Sequence, residues 1–208
     1  MTEAEVRVLG CLLEKEAATP EYYPLSLNAL TNACNQKSNR DPVVSYDEDT
    51  VAEAFDGLRH KGLATRISGQ DMRVPKHGHL LAERFNLGRR EQALLCVLLL
   101  RGAQTVGELR GRTERMYEFD DLEAVESCLN RLMEWEPDPL VTRLDRPAGF
   151  KEPRYAHLLS GPVESLPEPA ARAPEPDRLT RLEQTVQALQ QEVAELRAQV
   201  SDFRRQFE

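Results

Sequence analysis

The sequence predicts a mainly α chain with small β wings, an α+β fold built from two copies of one unit and closed by a C-terminal coiled-coil helix. Three observations carry this. Helical spacing of apolar residues gives way to strand alternation at residues 63–67 and again at 140–144. Residues 91–99 echo residues 5–13 at a separation of 86, and Leu140-Val141-Thr142-Arg143-Leu144 echoes Leu63-Ala64-Thr65-Arg66-Ile67 at a separation of 77. Apolar residues then recur every 3 or 4 positions from Leu179 to Phe207.

The first helix starts at Thr2, with Glu5 placed for a capping box, and Val6, Leu9 and Leu13 form its apolar stripe. It ends near Ala18, before Pro20. Glu21-Tyr22-Tyr23-Pro24 reads as a pinned linker. Ser26 caps a second helix whose face is Leu27, Leu30 and Cys34. A polar loop follows, dense in hydrogen-bonding groups. Ser45 with Glu48 offers the cap of a third helix, lined by Val51, Phe55 and Leu58 and stopped at Lys61-Gly62. Leu63, Thr65 and Ile67 alternate as a strand. Ser68-Gly69-Gln70-Asp71 is a turn, and Met72 and Val74 begin the return strand. Residues 80–87 form a short linking helix.

The second copy repeats this order. Thr105 with Glu108 caps a short helix carrying Val106 and Leu109. Asp120 with Glu123 caps a longer one lined by Leu122, Val125, Leu129 and Leu132. Residues 147–153 read as a turn and 155–159 as the return strand. The first copy has extra residues between its second and third helices, the loop 35–46. Helix, helix, helix and ribbon is the order of a winged helix. The predicted organisation is a first winged-helix domain at 1–86, a second at 87–160, a Pro-rich linker at 161–177 and a coiled-coil helix at 178–208. In the coil, Val186, Val193 and Val200 follow Leu179 at a positions, while Leu182, Leu189, Leu196 and Phe203 occupy d positions. β-Branched a with Leu d favours a parallel dimer.

Net charge is −8, unevenly spread. Residues 1–56 carry 4 basic and 11 acidic side chains, residues 57–90 carry 8 and 2, residues 91–160 carry 9 and 13, and residues 161–208 carry 6 and 9. One basic segment sits inside an acidic protein. Cys11, Cys34, Cys96 and Cys128 form no Cys-x-x-Cys pair and read as reduced core residues. No apolar run is long enough for a membrane span and no signal peptide is evident, so the expected location is cytoplasmic, with no membrane partner.

The motifs of catalysis are absent: no Gly-rich phosphate loop, no His-Glu-x-x-His and no Gly-x-Ser-x-Gly. No enzyme activity, cofactor or metal is expected, and His77-Gly78-His79 reads as a solvated basic turn. The third helices have the wrong sign to lie in a DNA groove. Asp47, Glu48, Asp49, Glu53 and Asp56 stand against Arg59, and Asp120, Asp121, Glu123, Glu126 and Glu134 against Arg131. Basic residues cluster instead around the first ribbon. Arg59, Lys61, Arg66, Arg73 and Lys76, with Lys37 and Arg40 of the loop, are the candidate nucleic-acid contacts. Arg101, Arg110, Arg112 and Arg115 form a second cluster. Two readings follow: a regulator that touches nucleic-acid backbone through its basic wing, or a scaffold that docks a protein on its acidic third helices or the loop 35–46. They differ in whether the arginines converge on a free face or pair with Asp and Glu.

Leu9-Gly10-Cys11-Leu12-Leu13-Glu14-Lys15-Glu16, Thr19-Pro20-Glu21-Tyr22-Tyr23-Pro24-Leu25-Ser26-Leu27-Asn28-Ala29-Leu30 and residues 33–42 closely resemble the bacterial YceH family. The likeness covers roughly residues 2–160. It implies two winged-helix domains, no established biochemical function and no assigned catalytic residue.

Overall fold

A computed structural model describes residues 1–69, 73–145 and 152–163. The coiled-coil positions from Leu179 to Phe203, and nearly all of the Pro-rich linker, lie outside the described residues. About half of the described residues are helical, and the strands form two separate antiparallel pairs. Met1–Ser165 pack as one compact unit.

The chain runs α1 (Glu3–Ala18), a single 3-10 turn, α2 (Leu27–Cys34), α3 (Glu48–His60), β1 (Ala64–Ile67), β2 (Lys76–His79) and α4 (Leu81–Phe85). Then come α5 (Arg89–Arg101), α6 (Val106–Thr113), α7 (Leu122–Met133), β3 (Val141–Leu144) and β4 (Arg154–His157). Both threonine capping boxes form. The Thr2 and Thr105 hydroxyls accept from the backbone N–H of Glu5 and Glu108, whose carboxylates accept from the Thr2 and Thr105 amides in return.

The third helices start differently from expectation. Asp47, not Ser45, caps α3, its Oδ1 accepting from Thr50 N at 2.8 Å. Asn35 explains the shift. Its side chain donates to Tyr46 O at 2.7 Å and accepts from Tyr46 N at 2.8 Å, so Ser45 lies before this clamp and Asp47 just after it. In α7 the cap is Asp121, one residue later than Asp120, accepting from Ala124 N at 2.7 Å. The return strand β2 begins at Lys76, later than Val74, Met72 lies outside the described residues, and β4 ends at His157 rather than 159.

The same order of helices and hairpin recurs in both halves, with matching bridges. β1 pairs with β2 and β3 with β4 in antiparallel register. In each copy, the residue before the second helix's cap adds a bridge to the hairpin's second strand: Leu25 to His77, and Gln104 to Tyr155. The lead helices α1 and α5 pack on each other. Val8, Leu9, Cys11 and Leu12 are all fully buried, as are Leu94, Leu95 and Leu98. Such helices are apolar nearly all round because the hairpin-bearing half covers one face and the other lead helix covers the second. Gly10 sits at the crossing. A Cβ there would lie 2.8 Å from Leu100 Cδ2, and the Gly10 carbonyl accepts from the Cys96 thiol at 3.4 Å. Close approach explains a mid-helix glycine that otherwise costs about 1 kcal/mol relative to alanine.

Each lead helix also buries an acid in its first turn. Glu5 pairs with Lys61 Nζ at 2.6 Å, and Glu91 with Arg131 Nη1 at 3.0 Å. In the first copy Gly57 leaves the space, since a Cβ there would meet Glu5 Oε1 at 2.1 Å.

Candidate functional site

Most of the basic residues around the first ribbon are engaged within the fold. Arg59, in the last turn of α3, and Arg66, on β1, both donate to the same oxygen of Asp56, at 3.1 and 3.0 Å. The Arg66 guanidinium also lies over the Phe55 ring, 5.9 Å from its centre. Lys61 is taken by Glu5. Burial works against the charge on Glu5, but the bonds from Lys61 and the Thr2 amide outweigh it and hold the carboxyl below its usual range. Arg73 and Lys37 are exposed and Lys76 half-buried, and none of the three has an ion pair among the described residues.

Arg40 is a correction. Its side chain has 0% exposure, so it cannot touch a phosphate backbone. The helix α2 ends at Cys34 with carbonyls that have no helical partner, and two arginines supply them. Arg40 donates twice to Ala33 O, at 3.1 and 3.0 Å, and Arg7 donates to Cys34 O at 3.2 Å. Glu14 then clamps Arg40 with both carboxylate oxygens, at 3.0 and 2.6 Å. Burial opposes the charge on Arg40, but Glu14 keeps its pKa above the ordinary value.

The histidine pair is a second correction. His77 and His79 are buried strand residues, not a solvated turn. His77 Nδ1 donates to Leu25 O at 3.0 Å, its ring stands nearly perpendicular to Phe55 with 4.5 Å between ring centres, and burial pushes its pKa down. His79 Nε2 lies 2.7 Å from Glu16, with Nδ1 accepting from the Leu81 amide. Among the described residues no three metal-ligating side chains converge. The four cysteines are free and buried.

The acidic third helices keep their charge at the surface. On α3, Glu48, Asp49 and Glu53 are exposed. Glu123 and Glu126 on α7 and Glu134 at its C-terminal cap are exposed, and with Asn130, Trp135 and Glu136 they line an open groove. Arg131 lines the groove as well, the one cation among its described lining residues, beside four carboxylates and a tryptophan. It reaches back to Glu91 and lies over the Trp135 ring, 5.8 Å from its centre, fixing the aromatic wall. Sequence reasoning found the acids but missed Trp135 as a wall. The signal was a lone tryptophan one turn beyond an exposed arginine.

No helix among the described residues is long and apolar enough to cross a membrane. Residues 1–150 match the family described as a protein of unknown function, DUF480. A UPF0502 protein of Solibacter usitatus is 63% identical over 167 residues, covering 80% of this chain and 79% of that one. A UPF0502 protein of Opitutus terrae is 59% identical over 174 residues, covering 81% and 76%. One from Pelobacter propionicus is 60% identical over 164 residues, covering 79% and 74%. With a match over most of its length and relatives this similar across four-fifths of it, the chain belongs to the DUF480/UPF0502 family of uncharacterised proteins.

Proposed function

We propose that the chain is a YceH-like tandem winged-helix protein of the bacterial cytoplasm, without enzyme activity, that docks a basic protein segment on its acidic third helices and dimerises through its C-terminal heptads. The winged-helix reading is supported by the order of three helices and a hairpin in each copy, with the extra bridge before the second helix repeated at equivalent positions. Buried free cysteines agree with a reducing compartment.

One observation carries the choice of partner. Three of the five basic residues around the first ribbon pair with acids of their own copy, Arg59 and Arg66 with Asp56 and Lys61 with Glu5, while Glu123, Glu126 and Glu134 have no ion pair among the described residues and the one cation of their groove, Arg131, is paired with Glu91. A phosphate backbone needs free cations. An acidic groove with a tryptophan wall suits Lys or Arg side chains, through charge and through cation–π contact. The backbone-contact reading is left with Lys37, Arg73 and Lys76.

The test uses the chain's single tryptophan. Titration of the full chain with an octa-arginine peptide should change Trp135 fluorescence, weaken with salt, and be lost in Glu123→Gln/Glu126→Gln/Glu134→Gln. Random duplex DNA at low salt should leave it unbound. Duplex binding that disappears in Lys37→Glu/Arg73→Glu/Lys76→Glu would overturn the reading in favour of a nucleic-acid regulator.

A further inference from the structure

The second arginine cluster surrounds a cavity. A pocket of about 370 Å³ opens where the last turn of α1, the end of α5, and α6 with the turn after it come together. Its apolar lining is Val97 and Leu100, which are buried, with Met116 and Ala18. Its rim is cationic: Lys15, Arg101, Arg112 and Arg115. One acid, Glu14, also lines it, and that carboxylate is held bidentately by the buried Arg40 on the other side. Thus the cavity presents several positive charges over a greasy base.

The rim is held in place. Arg101 Nη1 donates to Asn39 Oδ1 at 3.0 Å, and Asn39 adopts a left-handed backbone, φ 58°, within the loop that distinguishes the first copy. Arg112 reaches Glu108 at 3.4 Å, but Glu108 is shared with Arg154 at 3.0 Å and with the Thr105 amide at 2.9 Å. One carboxylate therefore serves two guanidinium groups, and a net positive charge remains. Arg101 has no ion pair among the described residues. Burial first, and then the charge of Arg112, lower its pKa. Like charges brought together at a partly dry cavity are relieved by an anion, and guanidinium groups bind carboxylate, phosphate or sulfonate oxygens through paired N–H donors.

We propose that this pocket binds a small amphipathic anion, with the anionic head held by Arg101, Arg112 and Lys15 and an apolar body of modest size seated on Val97, Leu100 and Met116. The volume is near the lower end for small-molecule sites, which fits a short acyl or an arylamine body rather than a nucleotide. Because the walls come from both copies, occupancy stabilises their packing by mass action.

The probe is 8-anilinonaphthalene-1-sulfonate, titrated into the full chain beside the neutral N-phenyl-1-naphthylamine. The sulfonate should bind at one equivalent and the neutral dye much more weakly. Octanoate and octyl phosphate should displace it and octanol should not. Arg101→Gln/Arg112→Gln should weaken binding about ten- to a hundred-fold, and the rim variant Lys15→Gln/Arg115→Gln should weaken it also while the chain still unfolds in one cooperative transition. Equal affinity for both dyes would overturn the proposal. So would binding undiminished in the folded rim variant.

Discussion

Replacing Arg40 with Met removes a guanidinium that three parts of the first copy depend on. Glu14 on α1 would lose two bonds at 3.0 and 2.6 Å, Ala33 O at the end of α2 would lose both of its donors, and Gln36 Oε1 would lose one at 3.1 Å. Methionine fills most of the volume, so the cost is polar rather than a cavity. The Glu14 side chain is 13% exposed and would be left nearly unpaired. Breaking a buried pair from one side costs about 3–5 kcal/mol, and a stranded helix carbonyl is part of that sum at about 1–3 kcal/mol. With a urea slope of about 2 kcal/mol/M, the midpoint should fall by about 1.5–2.5 M. Glu14→Leu with Arg40→Met removes both charges, so the double variant should recover at least half of the loss. The assay is equilibrium urea unfolding followed by far-UV circular dichroism. A loss under about 1 kcal/mol for Arg40→Met, or single-variant losses that simply add, would refute the buried clamp.

Stability should fall with acid through His157. Burial first, and the nearby N-terminal ammonium second, depress its pKa to about 4, so its neutral form is favoured in the fold. The contribution is full above the unfolded value of about 6.5 and should be lost as pH drops towards 4, at about 1.4 kcal/mol per unit; His157→Gln should flatten that slope, and an unchanged slope would count against it. Gly57→Ala should destabilise by about 1–3 kcal/mol in thermal or urea unfolding despite alanine's better helix propensity, because its Cβ displaces Glu5 from Lys61; a gain in stability would show that Glu5 moves freely. Deleting residues 178–208 should convert a dimer to a monomer by light scattering, and Leu189→Asp should do the same, since an unpaired charge at a d position costs several kcal/mol; an unchanged mass would remove the coil from the assembly.

Local chemistry was legible in the sequence. The two threonine capping boxes, the Ser26 cap and the strand alternation each depend on residues within a few positions of one another. Long-range packing was not. The stripe Val6, Leu9 and Leu13 describes one face of α1, yet Val8 and Leu12 are fully buried because α5 covers the other side. Nothing in a single helix's periodicity reports a second partner. Arg40 failed for a related reason: its spacing is that of a surface loop, and only the unmet carbonyls of α2 call it inward. His77 and His79 were misplaced because β2 starts at Lys76, which turns a supposed turn into strand. For the candidate surface, sign was legible and pairing was not, since Asp56 and Arg66 meet only once α3 and β1 are folded against each other.

The loop 35–46, between α2 and α3 of the first copy, shows why the surfaces of the two copies should not be equivalent. Its length and polarity suggest a binding loop, but its bonds lead elsewhere. Asp41 N donates to Leu100 O at 2.9 Å, Asn39 receives Arg101, and Arg40 turns under the loop to Glu14. These contacts carry the loop from α2 across to the C-terminal end of α5, where it takes up a carbonyl and a guanidinium of the second copy. The insertion is therefore a strap between the halves, and its asparagine and arginine are accounted for by what they hold. The second copy connects α6 to α7 without such a strap, and there the groove beside Trp135 stays open. The two halves carry similar acidic helices, and the residues that the first half has in addition tie the halves together. A partner that reads both charge and an aromatic wall should consequently prefer α7 to α3, and neutralising Glu48, Asp49 and Glu53 on α3 should cost it far less affinity than neutralising Glu123, Glu126 and Glu134.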